Sequence, residues 1–330
     1  MKIAKVKAFG SIDHLEIIDV PKPHPQNGEV LIQIGACGLN YSDLLQLEGL
    51  YTGGPTPPFY PGIEAAGIVE EVGEGVSDLS TGSRVAVINS GNMFAEYATV
   101  KADNCLLLPD NLSLETAAAF LVHYLTAYHS LITVAHATEG EVLLIHAAGG
   151  GVGTAVIQIA KMLGLKIIGT ASTEEKRQKI HQLGVDIAVD YDGYEKVTRH
   201  FSQGKGADII IDSVGGELLR KNIGLLNNLG RLVIIGFASK QSMAIDPVKL
   251  LFHSKGVLGF HLNSVLNNQK LLHESRACLM NWLIEKKIKP QVGHTFKLKD
   301  IGKAYKLIAS RMSFGKIVLY PGGLAKKLTL

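Results

Sequence analysis

Four consecutive segments decide the fold: Glu141-Val-Leu-Leu-Ile-His146, Ala147-Ala-Gly-Gly-Gly-Val-Gly153, Thr154-Ala-Val-Ile-Gln-Ile-Ala-Lys-Met-Leu-Gly164 and Leu165-Lys-Ile-Ile-Gly-Thr-Ala171. The first is an apolar run of strand length. Glycines break it, apolar residues then recur at helical spacing, and a second β-branched run follows. Strand, glycine turn, helix and strand make one βαβ unit of about thirty residues. Such a unit brings backbone N–H groups and a helix N-terminus to one point, which suits a pyrophosphate.

Downstream the alternation continues, with strands expected over 141–146, 165–171, 186–190, 207–212 and 231–236 and helices over 154–163, 174–183, 193–203 and 216–228. That order means an α/β fold with a doubly wound parallel sheet. Upstream, residues 1 to about 122 read as short strands over 2–10, 15–20, 29–39, 66–72, 84–88 and 94–100. Turns such as Pro21-Lys-Pro-His-Pro25 separate them, and the spacing suggests a compact barrel-like unit. A helical turn is expected at Ser42–Gly49, with Asn40 or Ser42 near its cap. Ser113 reads as an N-cap, and a helix follows over 121–135. Beyond Phe260 come helices over 270–285 and 299–310 and a strand over 316–320. The simplest architecture returns the C-terminal segment to the first domain: 1–122 with 263–330 as one domain, and 123–262 as the dinucleotide fold inserted between them.

Composition narrows the function. In 330 residues the formal net charge is only +3, and the basic residues are scattered, which argues against nucleic acid as a partner. Cys37, Cys105 and Cys278 lie far apart and form no CxxC pair, so neither a disulfide framework nor a thiolate zinc site is indicated. The N-terminus begins directly as an alternating strand and no apolar run reaches membrane length. A cytoplasmic protein with no integral membrane segment is therefore expected. The tail Leu324-Ala-Lys-Lys-Leu-Thr-Leu330 is short and only slightly basic, which lends little support to membrane association.

Within the turn, Ala148, Gly150 and Gly153 occupy the positions of G-x-G-x-x-G, flanked by Gly149 and Gly151. An NAD site places an acid roughly 20 residues further on, for the ribose 2′-OH. That place holds Ala171-Ser172-Thr173, and Lys176 follows one helical turn later. Hydroxyls and an ammonium group favour a 2′-phosphate, and hence NADPH. Glu174 and Glu175 point the other way, or serve as ordinary first-turn acids. His123, His129 and His136 show no ligand spacing and read as solvated or hydrogen-bonded histidines.

Ala36-Cys-Gly-Leu-Asn-Tyr-Ser-Asp43, Gly49-Leu-Tyr51, Pro61-Gly-Ile-Glu-Ala-Ala-Gly67, Leu125-Thr-Ala-Tyr128, Asp212-Ser-Val-Gly-Gly216 and Phe314-Gly-Lys-Ile-Val-Leu319, with the glycine turn, resemble the medium-chain dehydrogenase/reductase superfamily. Within it the chain is similar to the zinc-free quinone oxidoreductases that include ζ-crystallin. Ala36-Cys-Gly-Leu-Asn40 and Gly259-Phe-His-Leu262 resemble most the vesicle amine transport protein branch. The resemblance implies a GroES-like β-rich catalytic domain, a Rossmann domain and a homodimer. In the zinc alcohol dehydrogenases of the superfamily a Cys and a His stand where this chain has Asn40 and Ile63. An amide is a poor zinc ligand and isoleucine is none, so no metal is expected.

The resemblance also implies the site. Tyr51 and Asn40 would lie beside the nicotinamide as hydrogen-bond donors, Asn40 alternatively capping its turn and Tyr51 merely packing. Thr126 would meet the nicotinamide side or the phosphates, and Gly150, Gly151 and Val152 the pyrophosphate. Ser172, Lys176 and Tyr191 would surround the adenosine phosphate. Gly236, Phe237 and Ser239 would lie beneath the ribose and nicotinamide, Phe260 and Leu262 would line the nicotinamide pocket, and Arg311 would reach the cofactor from the catalytic domain. Asp43 and Glu64 read as buried structural partners. The expected activity is zinc-independent, NADPH-dependent reduction of a quinone or α,β-unsaturated carbonyl by hydride or one-electron transfer. The alternative is an NADPH-binding protein with little turnover.

Overall fold

Turn residues cut the first hundred positions into β1 (Lys2–Val6), β2 (Leu15–Asp19), β3 (Glu29–Leu39), β4 (Glu64–Val72), β5 (Arg84–Ile88), β6 (Tyr97–Lys101) and β7 (Cys105–Leu107), with helix α1 (Tyr41–Glu48) between β3 and β4. The computed structural model describes residues 1–322, so the tail 324–330 lies outside the described residues. Two units result, 1–122 with 290–330 and 123–289.

In the first unit, β3 is the organising strand. It pairs antiparallel with β4 along most of its length and with β6 at its beginning. At its end it pairs antiparallel with β15 (Lys316–Tyr320), Leu39 standing opposite Ile317 and Cys37 opposite Leu319. A seven-stranded sheet results, in which β14 (Val292–Lys297) lies parallel to β15. Ile32, Ile34, Leu39, Val69, Val85 and Phe94 fill the core with Leu47 of α1 and Tyr305 of the later helix at 301–309. Helix α2 (Leu114–Ala118) is capped by Ser113, whose hydroxyl accepts the Thr116 N–H at 3.1 Å, as its sequence position requires.

The second unit opens with α3 (Leu121–Tyr128), which crosses the unit boundary, and continues through β8 (Val142–Ile145), α4 (Gly151–Met162), β9 (Lys166–Thr170), α5 (Glu174–Leu183), β10 (Ile187–Val189), α6 (Tyr194–Phe201), β11 (Ala207–Asp212), α7 (Glu217–Leu225), β12 (Leu226–Ile234), α8 (Pro247–Phe252), β13 (Gly256–Gly259), α9 (Asn263–Leu266) and α10 (Gln269–Ile284). The sheet order is β10-β9-β8-β11-β12-β13, and every pair is parallel. Helices cover parallel sheets on both faces, and the consecutive Ile209, Ile210 and Ile211 are accordingly all buried. The first unit then resumes with β14, helix α11 (Ile301–Ala309) and β15.

Three features differ from the sequence reading. The helix expected over 121–135 ends at Tyr128, and His129–Val134 winds into a π-helix. Strands β7, β13 and β14 lie in stretches with no strong strand signal: Gly256-Val-Leu-Gly259 is only four residues long, and Val292–Lys297 alternates half-buried with exposed positions. The second crossing between units falls at 289/290, not at 262/263. The reason is packing. Trp282 of α10 packs against Tyr128 with ring centroids 5.8 Å apart and planes tilted by 44°, and the Lys289 backbone exchanges hydrogen bonds with the Gln158 amide at 2.6 and 3.1 Å. Among the described residues no helix is long and apolar enough to cross a membrane.

Gly38 permits the closest approach in the first sheet, because a Cβ there would stand 2.2 Å from the Ala118 carbonyl oxygen and 2.5 Å from Lys316 Cε. Overpacking of this kind costs about 1–3 kcal/mol. Gly38→Ala is expected to lower unfolding free energy by that amount in denaturant titration, and an unchanged midpoint would refute the close contact.

Candidate functional site

In a doubly wound sheet, ligands bind beyond the carboxyl ends of the strands, where the strand order reverses. Here that point is β8, flanked by β9 and β11. The turn after β8 runs into α4, whose N-cap is Gly150 and has no side-chain cap. Its first backbone N–H groups are thus offered to an anion. Two glycines are required by space: a Cβ on Gly153 would come within 2.5 Å of the Ala147 oxygen, and one on Gly151 within 1.8 Å of the His123 ring. Gly150 is tight only against the Ala147 oxygen, at 3.2 Å. Val152 follows in the first turn of α4. Ala147, at φ +50°, donates its N–H to the Tyr191 hydroxyl at 3.0 Å, so Tyr191 anchors the start of the turn.

After β9, Ser172 is exposed and Thr173 caps α5, its hydroxyl accepting the Lys176 N–H at 3.3 Å. Both first-turn acids have cationic partners: Glu174 pairs with Arg177 at 2.9 Å and Glu175 with Lys179 at 2.6 Å. They read as helix-surface acids, and Ser172 and Lys176 are the remaining candidates for a 2′-phosphate. Desolvation lowers the pKa of the half-buried Lys176 ammonium, Lys179 adding to the effect, so an anion beside it would be welcome.

Further along the same edge, Ala238 and Ser239 donate their N–H groups to the Ser213 and Val214 carbonyls at 3.0 and 2.8 Å, joining the loops after β11 and β12. Gly236 and Phe237 lie in that second loop, Phe237 exposed. Phe260 and Leu262 follow β13, with the Phe260 ring stacked 6.1 Å from His129. Thr126 lies on α3, its carbonyl accepting the Ser130 hydroxyl at 2.6 Å. His129 is hydrogen-bonded to Thr133 at 2.8 Å, and burial pushes its pKa down to about 4.

Asn40, Tyr51 and Arg311 belong to the first unit. Asn40 is the N-cap of α1, and its backbone N–H goes to Asp43 Oδ2 at 2.8 Å. Its side chain is engaged inside the fold: Oδ1 accepts from Lys316 Nζ at 2.7 Å, while Nδ2 donates to the Gly38 carbonyl at 3.2 Å and to Glu64 Oε2 at 3.4 Å. The amide protons thus have buried acceptors within the fold, and Asn40 also takes the capping position that was its alternative reading. Lys316 Nζ also binds Glu64 Oε2 at 2.5 Å, and Glu64 Oε1 accepts the Val122 N–H at 2.9 Å. Lys316 and Glu64 side chains are 1% and 0% exposed. Tyr51 is half-buried; desolvation, then the Asp43 charge, raises its pKa, so it keeps its proton and remains an O–H donor. Arg311 is exposed at φ +59°.

Lys316 escaped the sequence reading, although a lysine opening the strand whose apolar run is Ile317-Val-Leu-Tyr320 was the available signal, since a buried ammonium demands a partner. Its contacts bear on whether the residues here suit a metal ion. At the positions of zinc ligands stand an isoleucine and an amide whose oxygen already holds an ammonium ion, and a divalent cation there would be repelled by it. These residues do not fit zinc. Among the described residues no group of three or more His, Cys, Asp or Glu side chains is arranged for a metal.

Lys316→Met should strand the Glu64 carboxylate and cost about 3–5 kcal/mol, with Lys316→Met/Glu64→Gln recovering a large part; equal losses in denaturant unfolding would refute the pair. Asp43 supplies a pH test. Burial, reinforced by Glu64, raises its pKa to about 7 against the pull of the Asn40 N–H and Lys316. Folded Asp43 therefore keeps its proton to higher pH than unfolded Asp43, and its contribution to stability falls as pH rises from about 3.8 to about 7. Asp43→Asn should flatten that slope in urea titrations across this range.

Comparison with known proteins agrees with the geometry. Residues 26–110 match the alcohol dehydrogenase GroES-like domain and residues 151–280 the zinc-binding dehydrogenase model. The zebrafish (Danio rerio) synaptic vesicle membrane protein VAT-1 homolog is 33% identical, over 94% of this chain and 68% of the relative. Human quinone oxidoreductase is 32% identical, over 97% of each chain. The Escherichia coli quinone oxidoreductase complexed with NADPH superposes with a TM-score of 0.92 at 29% identity, over 97% of this chain and 100% of that one. The chain belongs to the medium-chain dehydrogenase/reductase superfamily, among the relatives of the quinone oxidoreductases and the VAT-1 homologues.

Proposed function

We propose that this chain is a zinc-independent, NADPH-dependent reductase of quinones or α,β-unsaturated carbonyls, acting in the cytoplasm as a homodimer. The observation that carries this reading is the ammonium ion of Lys316, bound by Asn40 and Glu64 where a metal-dependent relative would need electron-pair donors. Without a Lewis acid, the acceptor must be electrophilic by itself, as conjugated carbonyls are. Bound NADPH supplies the reducing equivalents, as hydride or in one-electron steps.

The protein's contribution is binding, orientation and hydrogen bonding. Gly150, Gly151 and Val152 offer the α4 N-terminus to the pyrophosphate, and Ser172 with Lys176 meets the 2′-phosphate. Tyr191 holds the turn; Thr126, Gly236, Phe237, Ser239, Phe260 and Leu262 flank the ribose and nicotinamide, and Arg311 adds a cation. Tyr51 is assigned as the donor to the carbonyl oxygen that gains charge, and Asn40, beside the nicotinamide, is held by the Lys316 cluster. Homodimerisation is supported by β13, which among the described residues pairs only with β12, and by the exposed Leu251 and Phe252 in the helix before it. A second reading, cofactor binding with little turnover, is favoured by the likeness to the VAT-1 homologues.

NADPH oxidation by purified protein with a panel of quinones and enones decides between these readings; tight binding with no turnover on any acceptor establishes the second. Lys176→Ala should weaken NADPH binding by about 1–3 kcal/mol and leave NADH binding nearly unchanged. Equal losses would sink the 2′-phosphate assignment. Tyr51→Phe should lower kcat roughly tenfold or more at unchanged cofactor affinity, the scale of one lost hydrogen bond to a developing oxyanion.

A further inference from the structure

His146, the residue between β8 and the glycine turn, is 2% exposed, and both its ring nitrogens have buried partners. Nδ1 lies 3.1 Å from Thr170 Oγ1 at the end of β9, and Nε2 lies 2.9 Å from Asn222 Oδ1 on α7. Asn222 Nδ2 donates to Asp212 Oδ2 at 3.2 Å, at the end of β11. The other Asp212 oxygen, Oδ1, accepts the N–H groups of Val214 and Gly215 at 2.7 and 3.0 Å. Thr170, Asn222 and Asp212 are all fully buried.

The direction of every hydrogen bond in this chain follows from one end. A carboxylate only accepts, so the Asn222 amide must turn its nitrogen to Asp212 and its oxygen to His146. His146 must then donate from Nε2, and Nδ1 must accept the Thr170 hydroxyl proton. Burial lowers the imidazole pKa against the pull of Asp212, consistent with a neutral ring. The ring is also a packing platform: Tyr191 stacks on its face at 5.9 Å and Tyr194 meets its edge at 5.0 Å. Tyr191 is the residue whose hydroxyl accepts the Ala147 N–H at the start of the turn.

We infer that His146 is a positioning residue for cofactor binding: a neutral imidazole that ties together the carboxyl ends of three adjacent strands, β9, β8 and β11, and through Tyr191 sets the backbone of the phosphate turn. The inference rests on the reading of that turn as the NADPH phosphate cradle. One chain of hydrogen bonds thereby shapes the turn after β8 and the Val214–Gly215 loop after β11, whose backbones would otherwise relax independently.

Two measurements test it. In the cofactor-free protein, imidazole ¹⁵N NMR should show His146, identified by its loss in His146→Phe, as the Nε2–H tautomer. It should hold that state from about pH 5 to about pH 8, the range over which an unperturbed imidazole changes charge. The Nδ1–H tautomer, or titration in step with exposed histidines, would overturn the network. In binding assays below the unfolding transition, His146→Phe keeps an aromatic ring but deletes both hydrogen bonds. It should weaken NADPH about tenfold or more while changing affinity for adenosine 2′-phosphate, which lacks the pyrophosphate, less than about twofold. His146→Gln, able to donate to Asn222, should recover part of the loss. Equal weakening of both ligands would mean a purely structural role and overturn the inference. Should His146→Phe fail to fold, Thr170→Val, which removes one hydroxyl at nearly constant volume, should show the same selective loss. Wild-type protein that fails to bind NADPH would overturn the cofactor reading and with it the positioning role, while the spectrum still decides the tautomer.

Discussion

A buried ammonium ion is costly to desolvate, and only close anionic and dipolar partners make it tolerable. Lys316 meets that condition with Glu64 and the Asn40 amide oxygen, and the first unit is arranged around the consequence. Its partners lie 252 and 276 residues away along the chain. The C-terminal strand must therefore return to pair with β3, after the whole second unit has been traversed. Gly38 leaves room for the lysine stem beside β3, and Glu64 passes the constraint on to the backbone of Val122 at the unit boundary. Asp43, Glu64 and Lys316 together place two carboxyl groups around one cation in a dry interior. Burial, with the Glu64 charge adding to it, raises the pKa of Asp43, the acid not bonded to the lysine.

The second unit follows a different logic. Its central strands β8 and β11 are largely apolar and buried, and burial together with the parallel ladders holds the sheet. At the carboxyl edge His146, Asn222 and Asp212 form a chain in which each group has its partner. A satisfied buried network of this kind specifies one arrangement, whereas a partly satisfied one would be worse than an apolar core. Rigid strands with a polar edge place backbone N–H groups and glycines accurately, which is what a phosphate cradle needs.

Much of this was readable from residues alone. The glycine turn lies where strand and helix periodicity put it, Ser113 caps its helix as local chemistry requires, and the acids at 174 and 175 find cations one turn on, while Thr173, read as a phosphate-facing hydroxyl, caps α5. These are short-range effects, decided within a few residues. Strands β7, β13 and β14 were not readable, because they are short or half-exposed and are stabilised chiefly by their neighbours. The second unit boundary was missed because the packing of Trp282 on Tyr128 and of Lys289 on Gln158 leaves no trace in local pattern.

Sequence by itself determined the βαβ core and the glycine positions, since these depend on residue type and spacing; that Asn40 and Ile63 stand where zinc-dependent relatives have ligands is what the family resemblance implies. Tertiary structure decided what those replacements became. That the Asn40 amide meets a lysine inside the fold, and that His146 is joined to Asp212 through Asn222, are long-range facts. Hydrogen bonding and desolvation depend on which groups meet in the interior, and distant chain segments are brought together only by the completed fold.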